Sequence, residues 1–186
     1  MEPTIRVGDV VPFESITTIQ NEVIELNQSA NGLIHLHFAR HSGCPICNYH
    51  LKKYSSKINI VKTSGVLPVF VFHSKPDTVR KNQGEVPWAK DLHLVGDGTK
   101  AFYKKLGIDS SKVSFLNFRS MFIQLKYMNI FKFQDQGDEL GTDQRPMDLL
   151  IDSKTGIILE MKYGVHPSDR WDVQTVLQFS DKHRQS

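Results

Sequence analysis

The sequence predicts an α/β fold: a central mixed β-sheet, its core strands parallel, flanked by helices on both faces. Three observations predict it. Residues 33–38, LIHLHF, place Ile34, Leu36 and Phe38 on one face at a period of two. Residues 66–72, VLPVFVF, are a near-continuous apolar run, as expected of a strand covered on both sides. Between them Leu51, Tyr54, Ile58 and Val61 recur at helical spacing, so one helix joins two strands in a β-α-β unit.

The remaining elements follow in chain order. Val10, Val11 and Phe13 open the chain, and residues 16–26 alternate around Gln20 and Asn21, which predicts an N-terminal β-hairpin. Residues 27–32 carry turn chemistry ahead of the first core strand. Pro45 suits the first turn of the following helix, where its missing N–H costs nothing. Residues 76–82 read as a short helix and 91–95 as a short strand. Asp97 is placed to cap a helix carrying Phe102 and Leu106, with Gly107 as its stop. Residues 147–152 form a strand, 153–156 a turn, and 157–164 the returning strand of a C-terminal hairpin. Ser168 is the predicted cap of a last helix that turns Val173, Val176 and Leu177 inward. The chain thus reads as one domain, residues 1–186, with an insertion at about 111–140 ahead of that hairpin.

Composition narrows the function classes. Lys and Arg number 23 against 20 Asp and Glu, a net charge of +3, and this mild bias calls for neither nucleic acid nor an acidic membrane. The apolar fraction of 39% and charged fraction of 23% are those of a globular chain. The first residues, MEPTIRVGDVVPFESI, lack the apolar core of a signal peptide, and no run approaches the roughly 20 apolar residues of a membrane span, so the expected location is cytoplasmic.

The two cysteines, Cys44 and Cys47, stand three positions apart where a strand and its loop hand over to a helix. A helix N-terminus offers unpaired N–H groups and partial positive charge, which stabilise a thiolate. The spacing also brings the second sulfur close enough to resolve a mixed disulfide on the first. A lone C-x-x-C in a reducing compartment reads as redox-active, with a half zinc site as the lesser alternative. Zinc would recruit His35 and His37, which share one face of the strand, although histidines bonded within the fold explain that pattern. Arg40 and His41 either add positive charge beside the pair or sit in a solvated loop.

Around these residues the chain resembles a known group. FARHSGCPICNYHL is similar to the active-site segment of the thioredoxin superfamily, in its peroxiredoxin-like branch, the alkyl hydroperoxide reductase and thiol-specific antioxidant family. GDVVPFESI, LPVFVFHS, LHLVGDGTKAFYKKLGI and RPMDLLIDSKTGIILEMKYG resemble further segments of that family in the same order, with a gap at about 111–140. The resemblance implies a thioredoxin-like fold and an antioxidant oxidoreductase with a redox-active disulfide at Cys44 and Cys47. It also implies a proline at Pro146, usually cis, facing the cysteines. No cofactor or metal is implied. The implied partners are a protein or small-molecule disulfide, or a hydroperoxide, and a thiol reductant such as a thioredoxin or glutathione system.

The family pattern P-x-x-x-T/S-x-x-C is not preserved. With Cys47 in the peroxidatic place, Arg40 stands at the Pro position and Cys44 at the hydroxyl position; with Cys44 there, the positions hold His37 and His41. Dithiol–disulfide exchange keeps its required parts, so it is the leading expectation, with Cys44 attacking first. A redox-inactive thioredoxin-fold scaffold is the alternative, and a metal-binding module the weakest reading. Within the insertion, residues 111–134 hold Phe115, Phe118, Phe122 and Leu125 at helical spacing. They read as a helix packed on the domain, or as a partner surface, including that of a homodimer, or as a membrane-surface helix. For His166 in HPSDRW, a place near the site is the lesser reading beside helix entry.

Overall fold

In the computed structural model, which describes residues 3–28, 32–84, 86–108 and 144–184, the chain builds a two-stranded hairpin and a five-stranded sheet. The hairpin pairs β1 (Ser15–Thr17) with β2 (Val23–Glu25), and Asn21 takes φ 65° in its turn, a left-handed conformation that Asn tolerates. The main sheet uses β3 (Leu33–Phe38), β4 (Val66–Phe72), β5 (His93–Gly96), β6 (Met147–Asp152) and β7 (Ile158–Tyr163). Its order is β5-β4-β3-β6-β7. The β5-β4-β3 half is parallel, and the C-terminal hairpin adds β6 and β7 antiparallel. The described helices are α1 (Pro45–Ser55), α2 (Ile58–Thr63), α3 (Pro76–Gln83), α4 (Ala101–Lys105) and α5 (Val173–Arg184).

β3 is central and buried along its whole length. One face presents Ile34, Leu36 and Phe38 to a core that includes Val71, Leu149, Tyr103 and Leu106. The other presents His35 and His37 to Phe70, Tyr54 and Trp171. The period-two reading therefore holds, and the polar face is the one that carries the site. In the β3–β6 register His37 lies opposite Asp148, so both side chains fall on that face.

Three expectations change, and the Asp97 cap is met from a place further upstream than an N-cap. The single helix expected over residues 45–61 is two, because Lys57 leaves helical geometry at φ −121°. The Ser56 hydroxyl donates there to the Lys53 carbonyl, competing with the helical ladder, while the Ser55 hydroxyl donates out of the helix to the Trp88 carbonyl. The apolar stripe survives the break: Leu51, Tyr54, Ile58 and Val61 are all buried. Ser168 does not cap the last helix. Asp172 does, accepting from the Thr175 N–H at 2.9 Å, while Ser168 Oγ meets His166 Nδ1 at 3.0 Å. Asp97 caps α4 from four residues upstream, accepting from Ala101 N and Phe102 N at 2.8 Å each. Finally, no peptide bond among the described residues is cis, so Arg145–Pro146 is trans. The Pro146 carbonyl accepts from Gly164 N at 2.9 Å, which continues the β6–β7 pairing through an extended Pro146.

Gly164 is fixed by close approach. A Cβ there would stand 2.7 Å from Pro146 Cγ and closer still to the Asp169 carbonyl oxygen. The insertion, with Phe118 and Phe122, lies outside the described residues. Among those described, no helix is long and apolar enough to cross a membrane.

Candidate active site at the first turn of α1

Cys44 is the N-cap of α1, Pro45 opens the helix, and Cys47 completes its first turn. The Cys44 carbonyl takes the first helical hydrogen bond, from Asn48 N at 3.0 Å. Both thiols are free and buried, with exposures of 1% and 0%. The two thiols adjoin and interact electrostatically, so the ionisation of one is tied to that of the other.

Arg170, in the loop between β7 and α5, closes the site from the far side. Its Nη2 lies 3.8 Å from Cys47 Sγ and also donates to the Pro167 carbonyl. Its Nη1 meets His37 Nε2 at 3.0 Å. His37 Nδ1 lies 2.6 Å from Asp148 Oδ1, and His35 Nε2 lies 2.9 Å from that same oxygen. Trp171 N donates to the other carboxylate oxygen at 3.0 Å, and Tyr54 Oη lies 3.0 Å from His35 Nδ1. One buried chain of polar contacts therefore runs from Tyr54 to Cys47.

Arg40 and His41 are buried rather than solvated, at 4% and 5% exposure. Arg40 Nη1 lies 3.8 Å from Cys44 Sγ, so each sulfur has its own guanidinium. The loop holding them is pinned to α3. The Ser42 carbonyl accepts from Asn48 Nδ2 and Gln83 Nε2 at 3.0 Å each, and Ser42 Oγ accepts from Asn82 Nδ2 at 2.8 Å. His41 packs against His73 with ring centroids 6.0 Å apart.

These contacts divide the two thiols electrostatically. Burial pushes Cys47 up, but the Cys44 hydrogen bond and the charges of Arg170 and Arg40 outweigh it and hold Cys47 well below the usual thiol range. Cys44 moves the other way, raised by its hydrogen bond to Cys47, by burial and by the Cys47 charge. Burial pushes Asp148 up as well, yet the adjoining His37 and the hydrogen bonds from both imidazoles keep it an anion. Burial lowers His37, His41 and His50, and takes His73 down to about 3.

His35, His37 and Asp148 are the described residues whose ligand atoms come close enough to hold a metal, all within 4.8 Å of one another. Those atoms already bond to one another as imidazole donors on a carboxylate, and the Arg170 cation adjoins His37. This favours the reading of the two histidines as bonded within the fold. A cleft of about 530 Å³ opens beside the site, lined by Ile46, His50, Lys53, Lys162, His166 and Arg170 among others. Arg170 is the wall it shares with Cys47, so His166 belongs to the cleft while Pro146 packs behind it against Gly164.

Sequence reasoning missed Arg170, Asp148, Tyr54 and His50. An arginine in a loop carries no signal of its own. Asp148 did carry one: an acid inside an apolar strand, MDLLID, in a chain whose neighbouring strand has two histidines on one face.

Neither a family model nor a curated protein sequence matches the chain. Solved structures do. Reduced Prx3 of Vibrio vulnificus, in complex with H2O2, superposes with a TM-score of 0.67 at 16% identity, covering 98% of this chain and 100% of its own. The reduced 2-Cys peroxiredoxin of Plasmodium vivax gives 0.62 at 16% identity, covering 97% and 83%. A Chlorobium tepidum protein described as a thiol:disulfide interchange protein DsbE gives 0.61 at 17% identity, covering 95% and 99%. At these identities the likeness establishes the fold: the chain has the thioredoxin-like fold in the form that peroxiredoxins share.

Proposed function

We propose that the protein is a thiol oxidoreductase in which Cys47 is the attacking thiolate and Cys44 the resolving thiol. The observation that carries this order is that Arg170 Nη2 lies 3.8 Å from a fully buried Cys47 Sγ that also feels the charge of Arg40, whereas Cys44 has Arg40 alone. It reverses the order expected from the sequence, in which Cys44 attacked first. Cys44 stands beside the Cys47 anion at the place where the family pattern has a hydroxyl.

Burial of both sulfurs favours a small oxidant. A hydroperoxide fits the first step best; a disulfide substrate requires the first turn of α1 to open. The Cys47 thiolate attacks the terminal oxygen of ROOH, the O–O bond breaks, and Cys47 becomes a sulfenic acid as RO⁻ leaves and takes a proton to give ROH. Cys44 then attacks the Cys47 sulfur, the S–O bond breaks, and water leaves as the Cys44–Cys47 disulfide forms. Oxidation of Cys47 removes its hydrogen bond as a thiolate and its negative charge, two of the causes that hold Cys44 up beside burial, and so favours ionisation of the resolving thiol after the first step. An external thiol reductant, of the thioredoxin or glutathione kind, returns the pair to two thiols by exchange. A reducing compartment such as the cytoplasm supplies that reductant. The neighbour crystallised with H2O2 and the interchange protein give precedents for both halves on this fold.

The test is consumption of hydrogen peroxide and of an organic hydroperoxide with a dithiol reductant, beside an insulin disulfide assay, on wild type, C44S and C47S. Turnover by wild type, one equivalent consumed by C44S and none by C47S is the expected pattern. A folded wild type that consumes no hydroperoxide and reduces no disulfide leaves the redox-inactive scaffold as the reading.

A further inference from the structure

We infer that His37, backed by Asp148, is the positioning residue that holds the Arg170 guanidinium against the Cys47 sulfur. This deepens the reading of Cys47 as the attacking thiolate and rests on it.

The argument is one of donors and acceptors. The Asp148 carboxylate can only accept, and three N–H groups converge on it: His35 Nε2, His37 Nδ1 and Trp171 N, at 2.9, 2.6 and 3.0 Å. The His37 proton is therefore on Nδ1. A guanidinium can only donate, so the Nε2 lone pair of a neutral His37 must receive Arg170 Nη1, at 3.0 Å. The tautomer is fixed twice, from both ends of the ring. With Nη1 held by His37 and Nη2 donating to the Pro167 carbonyl, the plane of the fork is set, and Nη2 also reaches Cys47 Sγ at 3.8 Å.

Asp148 acts on the same arginine a second way. It anchors the backbone N–H of Trp171, the next residue, so a single carboxylate fixes both the loop that carries Arg170 and the ring that orients its side chain. Protonation of His37 would set two cations 3.0 Å apart in a buried site, and burial already holds this imidazole neutral. Asp148 and His37 face each other in the β3–β6 register, so the relay is built into the sheet rather than into a mobile loop.

The groups that face Cys47 come from several elements. Cys44, Arg40 and His41 lie at the entry to α1, His73 follows β4, Tyr103 is on α4, and Arg170 precedes α5. Of these, Arg40 and Arg170 carry fixed charge, and Arg170 has the His37 imidazole behind it.

The test reads the Cys47 thiolate directly, by its ultraviolet absorbance against pH, in full-length C44S protein with one thiol. Asn at position 37 reproduces a donor at the Nδ1 place but leaves Arg170 Nη1 without an acceptor. Gln reproduces an acceptor at the Nε2 place. H37N is expected to raise the Cys47 titration by about one pH unit, a tenfold loss of thiolate on the acid side, and H37Q to stay within a few tenths of the parent. R170M sets the upper limit of the shift. The inference is overturned if H37N titrates like the parent, if H37N and H37Q shift equally, or if R170M leaves the titration unmoved. Should H37N fail to fold, nitrogen NMR of the His37 ring in the unmutated protein decides: a protonated Nδ1 and bare Nε2 support the relay, and a protonated Nε2 overturns it. None of these readouts needs turnover. A protein that consumes no hydroperoxide yet shows these shifts therefore refutes the catalytic reading and not the relay.

Discussion

Cys44 caps α1 and Cys47 lies in its first turn, each sulfur with a guanidinium nitrogen at 3.8 Å, and the two thiols shift in opposite directions from the ordinary value. A serine at position 44 keeps a donor for Cys47, whereas an alanine removes it. C44A is therefore expected to raise the Cys47 titration by about one pH unit, and C44S to leave it nearly unchanged. Thiolate absorbance against pH on the two variants separates these outcomes.

Asp148 accepts three buried N–H groups, so D148N faces a carboxamide whose NH2 must confront at least one donor. The expected loss is about 3 kcal/mol of stability, in the range of a broken buried charge network. Y54F removes a single partner from His35 Nδ1, at the end of the chain remote from sulfur. It should cost about 1 kcal/mol and leave the Cys47 titration in place. Urea unfolding of both variants gives the comparison.

The buried imidazoles make stability depend on pH. His37, His41, His50 and His73 are all held below 6.5 by burial, His73 to about 3. In the unfolded chain each takes up a proton near pH 6.5, and in the folded chain it stays neutral. Their contribution is thus intact above about pH 6.5 and falls as the pH drops below it, until each reaches its folded value. The expected slope is about 1.4 kcal/mol per pH unit for each imidazole that remains neutral. Urea midpoints measured down a pH series should decline steadily below pH 6.5; a flat profile would show these rings to take up protons in the folded chain as readily as in the unfolded one.

Gln83 ties the cysteine loop to α3 through the Ser42 carbonyl at 3.0 Å and Asn48 Oδ1 at 2.5 Å. Q83A is expected to cost about 1–2 kcal/mol and to loosen the entry to α1. Faster alkylation of the reduced cysteines by iodoacetamide, at unchanged Cys47 titration, is the result that marks loosening rather than altered charge.

Much of the fold was legible because periodicity reports burial. Ile34, Leu36 and Phe38 at a period of two gave β3 and its apolar face, and 66–72 gave β4. The break between α1 and α2 was not legible, since the stripe of Leu51, Tyr54, Ile58 and Val61 runs straight through it. Ser168 was misplaced as a cap because Ser and Asp both suit that role, and the loop around Gly164 delays the helix to Asp172. Of the site, local spacing disclosed Cys44 and Cys47, and their order could not follow from spacing alone. The proposed order rests on Arg170, 123 positions downstream of Cys47, which reaches the sulfur only through tertiary packing. Pro146 shows the limit of analogy: its position matches the fold, but its peptide bond is trans.

The central claim is that Cys47 attacks and Cys44 resolves. The most direct measurement is mass spectrometry of reduced C44S and C47S, each treated with one equivalent of hydroperoxide in the presence of a sulfenic-acid trap. The account predicts a trapped adduct on Cys47 in C44S and an unmodified Cys44 in C47S. An adduct on Cys44 in C47S, with Cys47 unmodified in C44S, would contradict it.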